Sequence, residues 1–82
     1  MSRSAILVIF YMDGCPHCPA AQDACDGVGN LPTVHIESSH PLVKELGIHS
    51  FPTIWLSTPT AVYQYKDRPR VSHAIKIWIL SK

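Results

Sequence analysis

An uninterrupted apolar run over residues 5–11 leads almost directly into a closely spaced pair, Cys15 and Cys18. The β-branched and aromatic side chains of this run are typical of a central strand buried on both faces. Asp13 and Gly14 end the run, and proline is favoured at the first position of a helix. We therefore predict a buried strand followed by a helix that begins near Pro16, with both cysteines at the helix start.

The rest of the chain predicts an alternating order of short strands and helices. The predicted elements are strands at residues 33–37, 53–57 and 61–66, a short helix within residues 39–47, and a final helix on the stripe Val71, Ala74, Ile75, Trp78 and Ile79. Ile77 and Leu80 lie off that stripe, so we expect the final helix to be covered on more than one side, with contact to a partner as the alternative. The order β-α-β-α-β-β-α predicts an α/β fold, in which a mixed four-stranded sheet is flanked by helices.

Length and charge limit the classes of function. The chain has 82 residues and a net charge of +1, which favours a single domain over residues 1–82 and argues against nucleic-acid binding. We interpret the cluster Lys66, Arg68 and Arg70 as a solvated loop beside a helix start rather than as a patch for anionic partners. No apolar segment is long enough to span a membrane.

The start of the chain superficially matches a signal peptide, with one early positive charge before the apolar run. The run continues into Asp13 and Gly14 without a small-residue cleavage site, so we interpret it as a strand. Three cysteines are an odd number, which fits redox chemistry better than a disulfide scaffold. We therefore expect a cytoplasmic protein.

Cysteines separated by two residues at a helix start can form a small disulfide. Backbone N–H groups and the helix dipole favour a thiolate at Cys15, which predicts Cys15 as the nucleophile. Cys18, one turn further along, is the predicted resolving cysteine. Pro16 and His17 lie between them, and we expect the imidazole to lower the pKa of Cys15 by its charge or by a hydrogen bond.

Two other interpretations of the cysteine pair stay open. The pair could form half of a metal site that Cys25 and a histidine complete, or it could be purely structural. Against a metal, the sequence has no second pair at finger spacing, and the cysteines follow a buried strand and open a helix. Cys25 lies too far along the helix to bridge to Cys18, and we expect it to be a small buried residue.

The strand, the segment Cys15-Pro16-His17-Cys18 and the later residues 47–53 together resemble the thioredoxin-like superfamily over nearly the whole chain. The length is similar to that of glutaredoxins and short thioredoxin-like proteins. The resemblance implies a minimal thioredoxin fold in which Pro52 is cis and packs beside the redox pair. It also implies that Gly14, Phe51 and Pro52 line a substrate groove, where the Phe51 backbone pairs with an extended peptide.

The resemblance further implies a monomeric thiol-disulfide oxidoreductase that serves electron transport and cell redox homeostasis, with the Cys15–Cys18 disulfide in place of a cofactor. Its expected partners are protein or small-molecule disulfides, with a thioredoxin reductase or glutathione as the electron donor. A zinc-binding or iron–sulfur-binding module and a redox-idle peptide-binding module remain the alternatives.

Several positions depart from the thioredoxin pattern. Ile9 stands where thioredoxins have a buried acidic residue, and Gly14 replaces the tryptophan before the first cysteine. Asp13 and His17 are therefore the nearest candidates for a proton acceptor of Cys18. The glutathione-holding segments of glutaredoxins are also missing, although Lys66 or Arg68 could attract a glutathione carboxylate.

Overall fold

The computed structural model describes residues 5–67 and 69–82, so residues 1–4 and the suggested role of Arg68 lie outside it. Its elements are β1 (Ile6–Tyr11), α1 (Cys18–Asp26), β2 (Thr33–Glu37), α2 (Pro41–Glu45), β3 (Thr53–Ser57), β4 (Val62–Gln64) and α3 (Ser72–Leu80). The predicted order β-α-β-α-β-β-α is confirmed. Within the described ranges, no helix is both long enough and apolar enough to cross a bilayer.

The four strands form one mixed sheet in the order β2-β1-β3-β4. β1 runs parallel to β2 and antiparallel to β3, and β4 is antiparallel to β3, which confirms the predicted sheet. Phe10 near the end of β1 pairs with Thr53 at the start of β3. The loops that follow β1 and precede β3 therefore meet at the same edge of the sheet.

One face of the sheet is covered by both long helices. Leu7 and Ile9 of β1 are fully buried on this face and pair with Leu56 and Ile54 of β3. They form one apolar cluster with Ala21, Ala24 and Cys25 of α1 and with Ile75 and Ile79 of α3. Burial of these side chains is the main source of stability in a chain of this length.

The opposite face of the sheet is only partly covered. Phe10 is buried there, with its ring centroid 5.0 Å from that of Trp55, but Ile6 is 37% exposed and Val34 is 42% exposed. The prediction of a first strand buried on both faces is therefore wrong for the first half of β1. Both long helices lie on the other face, and α2 has only five residues.

α3 is covered along one stripe. Ile75 and Ile79 are buried, whereas Ile77 is 56% exposed and Leu80 is 69% exposed. The prediction that the final helix is covered on more than one side is therefore wrong, because the sheet and α1 contact a single side of it. Ser72 at its start donates a hydrogen bond of 2.6 Å from Oγ to the Ala24 carbonyl of α1.

Candidate active site

Two loops bring the predicted redox residues to one edge of the sheet. Gly14 and Cys15 follow β1, and Phe51 and Pro52 immediately precede β3. The Cys15 thiol donates a hydrogen bond of 3.7 Å from Sγ to the Phe51 carbonyl. The Phe51–Pro52 peptide bond is cis, the isomer that the resemblance implied.

The helix begins at Cys18 rather than near Pro16, where the sequence predicted it. Pro19 has no N–H group, so it cannot donate the regular helical bond to the Cys15 carbonyl. That carbonyl instead accepts a hydrogen bond of 3.2 Å from the Cys18 N–H in a tighter turn. His17 is the N-cap residue, and its side chain makes no capping bond.

The structure lowers the pKa of Cys15. The largest cause is a hydrogen bond from the Cys18 thiol, followed by an opposing effect of burial; the backbone N–H groups of His17 and Cys18 and the charge of Arg70 lower it further. Hydrogen bonds to a sulfur stabilise its charged form. Cys15 is also partly exposed, so its sulfur is accessible as a thiolate.

The pKa of Cys18 moves in the opposite direction. Its side chain is only 1% exposed, and burial is the main cause that raises the pKa. The hydrogen bond with Cys15 raises it further, while the Met12 backbone and the Arg70 charge lower it. Of the two neighbouring thiols, Cys15 is therefore the one that loses its proton first.

Cys25 is fully buried in the core, which confirms the prediction of a small buried residue. Burial and the nearby charge of Asp26 raise the pKa of its thiol to about 12. A thiol with so high a pKa is almost entirely protonated near neutral pH. Cys25 thus differs in burial and in pKa from the reactive Cys15 at the helix start.

The tuning groups differ from those that the sequence indicated. His17 is exposed and acts on Cys15 through its backbone N–H, not through the imidazole. Arg70, which we interpreted as part of a solvated loop, carries a charge that lowers the pKa of both Cys15 and Cys18. The basic cluster drew attention to Arg70 in the sequence. Because Arg70 lies far from the cysteines along the chain, the sequence contains no indication that its charge affects their pKa.

The structure assigns structural roles to two histidines. His40 caps α2 by accepting a hydrogen bond of 3.1 Å at Nδ1 from the Leu42 N–H. His35 on β2 contacts α1, with its Nε2 2.7 Å from Asp26 Oδ1 and its Nδ1 3.0 Å from Gln22. His35 thus holds β2 against the helix that begins with Cys18.

His49, which is close to Pro52 in the chain, shares a cleft beside α2 with Phe51. Among residues 5–67 and 69–82, no group of three or more His, Cys, Asp and Glu side chains is arranged to hold a metal ion.

No protein-family model and no curated protein matches the chain. Solved structures do match it. Thioredoxin-2, described as a component of the malaria parasite protein secretion machinery, superposes with a TM-score of 0.82 at 18% identity, over 100% of this chain and 86% of that one. The J-Trx1 fragment of ERdj5 has a TM-score of 0.75 at 20% identity, over 96% of this chain.

Human ERp44 in its zinc-bound form also matches, with a TM-score of 0.80 at 15% identity, over 95% of this chain. The chain spans only 41% of the ERdj5 fragment and 26% of the ERp44 chain. At these identities the similarity concerns the fold. With its sheet order, its three helices and the loop of Cys15 facing that of Pro52, the chain has the thioredoxin fold.

Proposed function

We propose that this chain is a thiol-disulfide oxidoreductase in which Cys15 is the nucleophile and Cys18 the resolving cysteine. The observation that carries the proposal is the opposite pKa shift of two neighbouring thiols, lowered at Cys15 and raised at Cys18. A partly exposed thiolate beside a buried, protonated thiol is the arrangement that disulfide exchange requires.

The exchange proceeds in two displacements. The Cys15 thiolate attacks one sulfur of a substrate disulfide, the substrate S–S bond breaks, and the departing thiolate takes a proton from solvent. The Cys18 thiol then loses its proton and attacks Cys15, which releases the second substrate thiol. The substrate gains two electrons, and the protein is left with a Cys15–Cys18 disulfide.

The Phe51 carbonyl has a part in substrate binding. It accepts a hydrogen bond from the Cys15 thiol in the free protein. A thiolate has no proton to donate, so deprotonation leaves this carbonyl available to a backbone N–H of an extended substrate. Gly14, whose φ of 83° lies in the left-handed region, has open space beside its Cα. We propose that it forms the other side of the substrate groove with Pro52.

Pro16 and His17 complete the turn between the cysteines. Pro16 restricts the backbone, and His17 and Cys18 direct their N–H groups toward the Cys15 sulfur. A thioredoxin reductase or glutathione would return the disulfide to the dithiol. A reducing compartment such as the cytoplasm fits this direction of exchange.

The experiment is reduction of insulin in the presence of dithiothreitol. The reduced protein should accelerate insulin precipitation, and Cys15→Ser should lose this activity. Cys25→Ala is the matched control, because it replaces a cysteine that lies outside the proposed site. Full activity of Cys15→Ser would contradict the assignment of the nucleophile.

Metal content separates this proposal from the binding-module alternative. Protein purified under reducing conditions should contain far less than one equivalent of zinc or iron. Near-stoichiometric metal that disappears in Cys15→Ser would replace disulfide exchange by a metal site that the cysteine pair shares with another chain.

A further inference from the structure

A cleft of about 410 Å³ lies between the turn that joins β3 to β4 and the end of α3. The turn follows the carboxyl end of β3, whereas Pro52 and the loop that contacts Cys15 precede the amino end of the same strand. The cleft is therefore separate from the candidate active site. Its volume is in the range of sites that bind small molecules.

Hydrogen bonds hold both walls of this cleft in place. In the turn, the Thr58 hydroxyl donates a bond of 2.9 Å to the Ala61 carbonyl and accepts one of 3.1 Å from the Ala61 N–H. At the end of α3, the Lys82 N–H donates a bond of 3.1 Å to the Ile79 carbonyl. Because the backbone of both walls is fixed by these bonds, the cleft is already formed in the free protein.

The interior of the cleft is apolar. Leu56 and Ile79, which line it, belong to the core cluster and are only 1% and 3% exposed. Leu80 on the helix side is 69% exposed, and the half-buried ring of Tyr63 adds an aromatic surface. An alkyl or aromatic group that enters the cleft would remove apolar surface of Leu80 from water, which favours binding.

A single positive charge lies beside this apolar surface. The Lys82 Nζ is 5.3 Å from the ring centroid of Tyr63 and 6.0 Å from that of Trp78, and cation–π attraction holds it there. The side chains that line the cleft in the described part of the chain include no Asp or Glu. Among residues 5–67 and 69–82, no such carboxylate lies within salt-bridge distance of Lys82. The ammonium can therefore donate hydrogen bonds to an anionic ligand.

We propose that this cleft binds a small anionic amphiphile. The alkyl or aromatic body of the ligand lies against Leu56, Ile79 and Leu80, and its carboxylate pairs with the Lys82 ammonium. Charge decides the class of ligand, since a cation would be repelled by Lys82 and a neutral molecule would gain apolar burial alone. The site does not depend on disulfide exchange at Cys15.

The test is a titration of the isotope-labelled protein with octanoate, followed by NMR, with octanol as a neutral ligand of the same chain length. For both ligands, saturable shifts should centre on the backbone amides of Thr60, Tyr63 and Leu80. Lys82→Gln should lower the ratio of octanoate affinity to octanol affinity by about threefold, the effect of one exposed ion pair. The ratio cancels any change in apolar contact, because both ligands have the same chain.

Three further variants complete the test. Lys76→Gln removes an exposed charge of the same helix outside the cleft and should leave the ratio nearly unchanged. Lys82→Arg keeps the charge and should keep most of the ratio. Leu80→Asn replaces an exposed apolar side chain, so it should weaken both ligands severalfold and leave their ratio in place.

An affinity ratio that is the same in wild type and Lys82→Gln would overturn the inference. Shifts centred on Phe51 at the candidate active site, or on Ile6 and Val34 of the partly covered sheet face, would do the same by locating the ligand elsewhere. So would the lack of a saturable shift at millimolar octanoate. Each of these results leaves the proposed function standing, because that function is tested at Cys15.

Discussion

The two ends of α1 carry the same residue type in opposite chemical states. Before its amino end, Cys15 is partly exposed and receives hydrogen bonds that lower its pKa. In its carboxyl half, Cys25 is fully buried, and its pKa rises to about 12. The difference shows that the hydrogen bond from Cys18, the free N–H groups and solvent access, and not the residue type, determine which thiol can react.

The largest expected effect that tests this comparison is in alkylation of the reduced, folded protein. At pH 7 a thiol with a pKa of about 12 is ionised in roughly one molecule per hundred thousand, so Cys25 should be almost inert. We expect Cys15 to react with iodoacetamide at least about a thousandfold faster, as measured by peptide mass spectrometry. Comparable rates in the folded protein would break the comparison, and denaturant should abolish the difference.

Replacement of Cys25 by serine should cost more stability than the same change at Cys15. A hydroxyl at the fully buried position loses its hydrogen bonds to water, and we expect a loss of about 2 kcal/mol in the free energy of unfolding. Cys15→Ser is the matched control, with an expected change below about 0.5 kcal/mol. Urea denaturation of both reduced variants measures the difference, and equal losses would contradict the burial contrast.

The pH dependence of stability should have opposite signs at the two ends. Because the pKa of Cys15 is lowered by folding, its stabilisation is present above the usual pKa of 9.0 and is lost as the pH falls through the lowered value. Because the pKa of Cys25 is raised, its stabilisation is present below 9.0 and is lost as the pH rises toward 12. The free energy of unfolding of the wild type minus that of Cys15→Ala should therefore increase as the pH rises to 9.0.

The free energy of unfolding of the wild type minus that of Cys25→Ala should decrease above pH 9.0, with a slope of at most about 1.4 kcal/mol per pH unit. Chemical denaturation at several pH values provides both differences. Slopes of the same sign would contradict the opposite pKa shifts.

Cys18→Ala should raise the pKa of Cys15 toward its usual value, because it removes the hydrogen bond that is the largest cause of the shift. The ultraviolet absorbance of the thiolate, followed against pH, measures this change. Cys25→Ala is the control that should leave the titration in place. A pKa of Cys15 that does not move would assign the shift to the backbone N–H groups and Arg70 instead.

The smallest expected effect belongs to His17→Ala. His17 acts on Cys15 through its backbone N–H, which alanine keeps, so the pKa of Cys15 should stay lowered as in the wild type. The thiolate titration again supplies the measurement. A large increase would restore the role of the imidazole that the sequence suggested.

Much of the site could be predicted because its signals are local. Pro16 and the two cysteines follow a strong apolar run, and Pro52 precedes the next strand in the interior of the sheet. The exact helix start was missed, since the lack of an N–H at Pro19 delays the first regular bond. Arg70 was missed because nothing local relates it to residues more than fifty positions earlier.

By itself the sequence determined the order of the elements, the mixed sheet and the cysteine pair at a helix start, because hydrophobic periodicity and turn residues act over short distances. Only the tertiary structure decided that Cys25 is buried in the core, that one face of the sheet is partly exposed, and that the charge of Arg70 lowers the pKa of Cys15. These properties depend on burial, charge and hydrogen bonds between elements that are distant in the chain.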